Sequence, residues 1–133
     1  MPILIMARYT RELIRANPDK FFVFGDNEDR KGLGGQAAEA RGEPNAIGIV
    51  TKQSPSNTDD SFYTDKEYST NIDVILQDFL DVFYHLEQKE TVVWPKDGIG
   101  TGLAQLDVKA PRTLAFIEHL IESAKLLYGE ETT

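Results

Sequence analysis

An apolar run leads straight into a glycine-rich loop in Thr91-Val-Val-Trp-Pro-Lys-Asp-Gly-Ile-Gly-Thr-Gly-Leu103. The run predicts a buried strand with Trp94 in the core. In the loop, Gly98, Gly100 and Gly102 permit positive φ angles and close approach of a ligand, and their N–H groups can point together at an anion. A tight surface turn has the same spacing, so a ligand loop needs support from a second feature.

A second glycine loop after a second strand supplies that support. The segment Phe21-Phe-Val-Phe-Gly-Asp-Asn27 predicts a strand covered on both faces, and therefore central in the sheet. It is followed by Lys31-Gly-Leu-Gly-Gly-Gln-Ala-Ala-Glu-Ala-Arg-Gly42, where a glycine pair opens a helix of small residues that ends at Gly42. The N-terminus of such a helix attracts anions, although glycines there also serve close packing. Two such units predict two walls of one phosphate-binding cleft.

Length and composition restrict the class of protein. The 133 residues (14.9 kDa) predict a single domain over residues 1–133 with one core. Lys and Arg number 14 against 22 Asp and Glu, and the net charge of -8 opposes non-specific binding to nucleic acid or to an anionic membrane. The absence of cysteine excludes disulfides and thiolate metal sites and favours a cytosolic setting. Residues 1–6 are apolar without a preceding charged region, so they predict a strand and not a signal peptide or membrane span.

Further strands and helices alternate along the chain. A short helix is predicted from a Thr10 cap to Asn17, where Pro18 stops it, and another strand at residues 45–50. The polar residues 53–68 predict a mobile lid or a disordered insert. Phe62 and Tyr63 in this segment, with Tyr68, have two interpretations: stacking on a base or packing the loop onto the body.

Two long amphipathic helices are predicted in the second half of the chain. The first starts near residue 69 with Thr70 and Asp73 as a capping box, and its buried stripe is Ile72, Ile75, Leu76, Phe79, Leu80, Phe83 and Leu86. The second starts at Pro111 and ends at Gly129, with a stripe of Leu114, Ile117, Leu120, Ile121, Ala124 and Leu127. The tail, residues 130–133, is predicted to fray. The alternation of strands and helices predicts an α/β sheet covered on both faces, with both glycine loops and Thr51-Lys52 on the rim at the carboxyl ends of the strands.

This combination of motifs resembles the macrodomain superfamily, whose members bind ADP-ribose or remove it from proteins and nucleic acids. The correspondence covers roughly residues 21–124, and it implies a three-layer α/β/α sandwich with a mixed central sheet. Gly98-Ile-Gly-Thr-Gly-Leu103 is similar to the family's diphosphate loop, and Gly32-Leu-Gly-Gly35 to its first ligand loop. The whole chain also resembles small macro-like proteins encoded by tailed bacteriophages and some bacteria.

Within the superfamily, the chain is most similar to the group that includes human terminal ADP-ribose protein glycohydrolase. That group has a catalytic lysine in an Ile-Thr-Lys context, which Ile49-Val-Thr-Lys52 resembles. Its catalytic aspartate lies in a Gly-Leu-Asp sequence, whereas this chain reads Gly102-Leu-Ala104. With the lysine but without this aspartate, we expect slow hydrolysis or none. Asp107 and Asp26 are the two carboxylates that could substitute.

The predicted site combines these motifs. Lys52 is the candidate catalytic residue, and the candidate ligand-binding residues are Asp26, Asn27, Gly32, Gly34, Gly35, Gln36, Thr51, Gly98, Ile99, Gly100, Thr101, Gly102 and Leu103. Asp26 and Asn27 have turn formation as an equal alternative, and Lys52 has solvation. Arg30 and Lys31 are expected to be solvated, and neither His85 nor His119 is expected to take part in catalysis. The pattern predicts no metal and no resident cofactor.

Two functions are compatible with these features. The first is binding of ADP-ribose or a related NAD-derived nucleotide, with ADP-ribosyl glycohydrolase activity as its enzymatic version and an ADP-ribosylated protein or nucleic acid as the macromolecular partner. The second is a non-catalytic interaction or sequestering protein, for example a phage protein that acts on a host partner. The expected location is the cytoplasm, that of the host for a phage protein. Gly100→Glu is predicted to block the cleft without disturbing the fold.

Overall fold

Five strands form one sheet in the computed structural model, which describes residues 2–133. They are β1 (Ile3–Met6), β2 (Lys20–Asn27), β3 (Ala46–Lys52), β4 (Thr91–Pro95) and β5 (Glu130–Thr132), in the spatial order β3-β2-β4-β1-β5. Every pairing between them is parallel, so the α/β class is confirmed but the expectation of a mixed sheet is wrong. Each strand returns through a crossover on a face of the sheet, which keeps all strands in one direction. As predicted, β2 lies inside the sheet. Met1 of the predicted first strand is outside the described residues.

Helices cover both faces of this sheet, which gives three layers. They are α1 (Arg11–Ala16), α2 (Ala37–Ala40), α3 (Tyr68–Glu87), α4 (Leu106–Lys109) and α5 (Pro111–Tyr128), with 3-10 turns at Asp59–Ser61 and Asp65–Glu67. The long helices α3 and α5 pack together, and α3 lies on β3 and β4. The short helices α1 and α2 contact each other, and α2 lies on β2. None of the helices in the described residues, 2–133, combines the length and the apolar composition that a membrane span requires.

Alternate residues of the strands face two separate apolar cores. Ile3, Val23 and Trp94 belong to the larger core beneath α3 and α5, whereas Leu4 and Phe22 belong to the smaller core with α1 and α2. This alternation follows from the period of two in a strand. Because both faces are covered, the inner strands are apolar throughout, as the sequence of β2 predicts.

Several helix ends lie where the sequence places them. The Thr10 hydroxyl accepts a hydrogen bond from the N–H of Leu13 at 3.1 Å, and α1 is followed by Asn17 as its C-cap. Pro111 is the first residue of α5, and Gly129 with φ 86° follows its last turn. The small-residue helix α2 is shorter than expected, because it ends at Ala40 and not at Gly42.

The expected burial of the long helices is wrong in part. In α3 the buried residues are Asn71, Ile75, Phe79, Val82 and Leu86, while Leu76 and Leu80 are exposed. The capping box is also wrong, since α3 starts at Tyr68 and no side chain caps it. Leu127, placed in the α5 stripe, is exposed as well.

The tail does not fray, because residues 130–132 form β5 in parallel pairing with β1. The N–H of Thr133 extends this ladder with a 3.0 Å hydrogen bond to the carbonyl of Ile5. All three residues of β5 are exposed and polar, so local composition gives no sign of the pairing.

Residues 53–67 form an ordered loop, so the expectation of a disordered insert is wrong. Phe62 and Tyr63 are buried, which supports the interpretation that these aromatics pack the loop onto the body. The Phe62 backbone forms an isolated antiparallel bridge with Lys52 at the end of β3. At the far end of the loop, the Asp65 carboxylate accepts hydrogen bonds from the N–H groups of Arg112 (2.8 Å) and Thr113 (3.0 Å). Asp65 therefore caps α5 from a distant part of the chain.

Candidate functional site

A cavity of about 200 Å³ lies at the carboxyl ends of β2, β3 and β4. Both glycine loops border it, together with the end of β3 and Pro55 of the ordered loop. Of the site residues predicted from sequence, the structure brings the following to its walls: Asp26, Asn27, Gly32, Gly34, Gly35, Gln36, Thr51, Lys52, Gly98, Ile99, Gly100, Gly102 and Leu103. Thr101 is exposed and is not part of the lining. The two loops are thus opposite walls of a single cleft.

The second glycine loop is fixed by its contact with α4. Gly100 has a φ of 90°, and a Cβ atom there would lie 2.5 Å from Cδ1 of Leu106. The carbonyl of Gly100 accepts a 2.8 Å hydrogen bond from the N–H of Leu106. Gly100→Glu would strain the loop and displace Leu106, so the expectation that this change leaves the fold intact is wrong. Gly102 has no atom within 4 Å of a built Cβ and is the better site for a blocking side chain.

Two arginines contact the carboxylate of Asp26. Its Oδ1 accepts from Nη2 of Arg41 at 2.5 Å and from the N–H of Asn27 at 2.8 Å, and its Oδ2 lies 3.5 Å from Nη1 of Arg30. Arg41 also donates to the carbonyls of Gly32 and Lys31, at 2.7 and 3.0 Å. The pair formed by buried Asp26 and half-buried Arg41 therefore ties the first glycine loop to the end of β2. In this arrangement Asp26 is a structural anchor of the loop.

Asn27 lines the cleft and has a buried side-chain oxygen without a partner in the described part of the chain. Its Nδ2 donates a 2.7 Å hydrogen bond to the carbonyl of Lys31. Its Oδ1 is buried and has no partner among residues 2–133. A buried acceptor without a partner costs about 1–3 kcal/mol, which a ligand donor could recover. Asn27 is therefore a candidate contact for an N–H or O–H group of a ligand.

Lys52 is buried in the cleft wall with only 7% of its surface exposed. Its Nζ donates to the carbonyl of Ser56 at 2.8 Å and lies 4.5 Å from the centroid of the Phe62 ring. Within residues 2–133 no acidic side chain forms an ion pair with it. Burial disfavours the charged amine and lowers the pKa of Lys52. Lys52 therefore lines the cleft without a carboxylate partner among the described residues.

The lining contains no second carboxylate that could act as an acid or base. Ala104 is part of the wall and is buried. Asp107 is exposed in the first turn of α4 and does not line the cleft. Among the described lining residues Asp26 is the one acidic side chain, and Arg41 pairs with it.

The comparison with protein families was made against this geometry. A model described as a family of unknown function (DUF7831) matches residues 4–120. The chain belongs to this family. No curated protein and no solved structure matches it. The matched range contains every residue of the cleft lining, so the cleft lies within the part that defines the family.

Some residues of the cleft were not predicted as site residues. They include Gly25, Arg41, Pro55 and Pro95, while Lys31 was expected to be solvated. The spacing of Ala37 and Arg41, about one helical turn apart, could have indicated that Arg41, just after α2, lies on the cleft side. No local signal marks Pro55, because its position depends on how residues 53–67 fold back.

Other candidate groups lie outside the cleft. His85 stacks on Phe21, with ring centroids 3.6 Å apart, and its Nδ1 is 2.9 Å from Glu90. His119 lies in a separate surface groove with Tyr68 and Arg112, where the guanidinium is 4.2 Å from the tyrosine ring. Within residues 2–133 no group of three or more His, Asp or Glu side chains is placed to hold a metal ion.

Proposed function

We propose that the cleft binds ADP-ribose or a related NAD-derived nucleotide, with its diphosphate against the amides of the two glycine loops. The observation that supports this proposal is the single cleft in which both loops meet the unpartnered Oδ1 of Asn27 and the unpaired amine of Lys52. Backbone amides in glycine loops bind phosphate groups without cationic side chains. Oδ1 of Asn27 would accept a hydrogen bond from a ribose hydroxyl or a base amino group.

The charges around the cleft favour an anionic ligand. The chain as a whole carries a net charge of -8, yet Lys31, Lys52 and Arg41 all line the cleft. The one lining carboxylate, Asp26, is paired with Arg41. A local excess of positive charge in an acidic protein attracts an anion to this cleft while the remaining surface repels polyanions.

The lining residues support nucleotide binding with slow hydrolysis or none better than they support rapid hydrolysis. Hydrolysis needs proton transfer, and a positioned acid or base contributes about 10²- to 10⁴-fold in rate. Ala104 supplies no such group, and Asp26 is held by arginine. We therefore infer a domain that recognises or sequesters the nucleotide, either free or attached to a protein or nucleic acid in the cytoplasm. The chain would then share the glycine loops and the lysine of the ADP-ribosyl glycohydrolases but not their rate of hydrolysis.

Calorimetry provides the test. ADP-ribose should bind far more tightly than AMP, because AMP lacks the diphosphate and distal ribose that most of the loop amides would serve. Gly102→Glu should abolish binding while leaving the unfolding transition in place, since nothing surrounds the position of its Cβ. The absence of heat with ADP-ribose, its phosphorylated forms and NAD would show that the cleft serves another ligand.

A further inference from the structure

A second lysine shares the aromatic ring that contacts Lys52. The Nζ of Lys109 lies 4.5 Å from the centroid of the Phe62 ring, the same distance as the Nζ of Lys52. The two ammonium nitrogens are therefore separated by no more than twice that distance. Lys109 is half-buried at the end of α4 and does not line the cleft.

We propose that Lys109 is a positioning residue whose charge acts on the charge of Lys52 across the Phe62 ring. Two like charges held near one another disfavour each other's protonated form. The Phe62 ring fixes their separation, since it is buried and its backbone is bridged to that of Lys52.

Neither lysine has a carboxylate partner among the described residues. Glu28 donates its N–H to the carbonyl of Lys52, but its carboxylate accepts a 2.6 Å hydrogen bond from Tyr63 and forms no ion pair with either lysine within residues 2–133. Neither Lys52 nor Lys109 forms an ion pair with any residue in the described part of the chain, 2–133. Asp107, on the same short helix as Lys109, is exposed. Asp59 and Asp60, on the 3-10 turn that precedes Phe62, are exposed too, and Asp60 accepts a hydrogen bond from Thr58.

The cleft lining and α5 contribute little negative charge near the two lysines. Asp26 is the acidic group of the lining, and it is paired with Arg41. Lys31 lines the same cleft as a further positive charge. On α5, Arg112 begins the first turn, where the carboxylate of Asp65 accepts from its N–H. The like charge of Lys109 therefore acts on Lys52 in the same direction as its burial.

This arrangement gives Lys52 a chemical use that does not need a partner carboxylate. A lysine that is desolvated and next to another cation is a better nucleophile or proton acceptor at neutral pH than a solvated lysine. The inference uses the same site as the proposed function, but it concerns the amine and not the identity of the ligand. It can therefore hold even if the cleft binds no NAD-derived nucleotide.

The test is a pH titration of Lys52 by NMR in ligand-free protein labelled with ¹³C-lysine, with the Lys52 Cε signal assigned from the spectrum of Lys52→Arg. In the wild type the midpoint should lie below that of an exposed lysine. Lys109→Gln should move it upward by at least about 0.3 to 1.4 pH units, the repulsion expected for unit charges at the upper limit of about 9 Å and an effective dielectric constant of about 80 to 20. Lys109→Arg keeps the charge and should leave the midpoint unchanged.

Lys89→Gln is the matched control for net charge. Lys89 is exposed and lies between α3 and β4, at the amino-terminal end of β4, whereas the cleft lies at the carboxyl ends of the strands. Its loss should therefore leave the Lys52 midpoint within about 0.1 pH unit of wild type. Equal midpoints in wild type and Lys109→Gln would overturn the proposal. So would a shift of the same size in Lys89→Gln, because it would reflect overall charge alone.

Discussion

Leu103 of the second glycine loop lies directly against Gly34 of the first. A Cβ atom built on Gly34 would be 2.6 Å from Cδ1 of Leu103, although the Leu103 side chain is 62% exposed. The two walls of the cleft thus touch through one glycine and one flexible side chain. The width of the cleft at this point depends on the pair.

Gly34→Ala should weaken ADP-ribose binding by roughly tenfold, which corresponds to about 1.4 kcal/mol, with little loss of folding stability. The added methyl group must displace the exposed end of Leu103, which moves at low cost but changes the cleft. Calorimetry on Gly34→Ala, Leu103→Ala and the double variant measures the effect. The double variant should recover much of the lost affinity, because the two substitutions relieve one contact. Strictly additive losses would show that the contact does not control the cleft.

Two buried asparagines should respond differently to truncation. Asn27→Ala removes an acceptor that is unused in the free protein, so we expect a loss of ADP-ribose affinity of about 1–3 kcal/mol and a smaller loss of stability. Calorimetry and urea denaturation of the same sample separate the two effects.

Asn45→Ala is the control for Asn27→Ala. The Nδ2 group of Asn45 lies 2.9–3.0 Å from three carbonyl oxygens, those of Ile14, Asn17 and Lys20, and it is outside the cleft lining. Its removal should lower the free energy of unfolding by more than about 2 kcal/mol and leave affinity unchanged while the protein is folded. If Asn27→Ala binds as well as wild type, its free oxygen has no role in the ligand site.

The rim of the cleft is predictable from sequence because it depends on local signals and one general rule. Glycine loops and strand ends are visible in the chain, and parallel strands bring their carboxyl ends to one edge. Asp26, Gly34 and Gly100 could therefore be assigned to one region before the fold was known. The all-parallel pairing of the strands was not predicted, since the resemblance to the macrodomain superfamily implied a mixed sheet.

Long-range pairing explains what the sequence did not reveal. Residues 53–67 are mostly polar, but Asp65 bonds to N–H groups on α5, and Tyr63 donates a 2.6 Å hydrogen bond to Glu28. Residues 130–132 join the sheet through backbone hydrogen bonds to β1, to which side-chain composition contributes nothing. In α3, helical spacing alone could not determine that the face with Asn71 and Val82 is buried and that Leu80 is exposed.

The Asp65 cap should make stability depend on pH in the acid range. Burial tends to raise the pKa of Asp65, but hydrogen bonds from Arg112 and Thr113 outweigh it, so the pKa is lowered in the folded protein. A carboxyl group with a lowered pKa stabilises the fold above its unfolded pKa of about 3.9, and this contribution is lost as the pH falls through the folded value. Asp65→Asn removes the charge but keeps an acceptor, so it should destabilise the fold at pH 7 and progressively less below about pH 4.

Urea denaturation of wild type and Asp65→Asn at pH 7 and pH 3 provides this measurement. Asp73→Asn is a suitable control, because Asp73 is exposed on α3 and makes no capping contact. A difference between wild type and Asp65→Asn that is constant with pH would contradict the assigned role of the carboxylate.

Ala104→Asp should raise the rate of ADP-ribose release. The wild type is expected to hydrolyse ADP-ribosylated protein or nucleic acid slowly or not at all, and a carboxylate in the cleft wall should add up to about 10²- to 10⁴-fold. Single-turnover release of ADP-ribose measures this gain, and the further change Lys52→Ala should remove it. Rapid wild-type release that persists in Lys52→Ala would contradict the assignment of both residues.

The central claim is that both glycine loops bind one ligand together, and backbone NMR tests it most directly. In a titration of ¹⁵N-labelled protein with ADP-ribose, the amide signals of residues 32–35 and 98–102 should shift together and saturate with one dissociation constant. AMP should produce weaker shifts over the same residues. If ADP-ribose shifts neither loop, or if the two loops saturate at clearly different concentrations, the cleft is not a single nucleotide site.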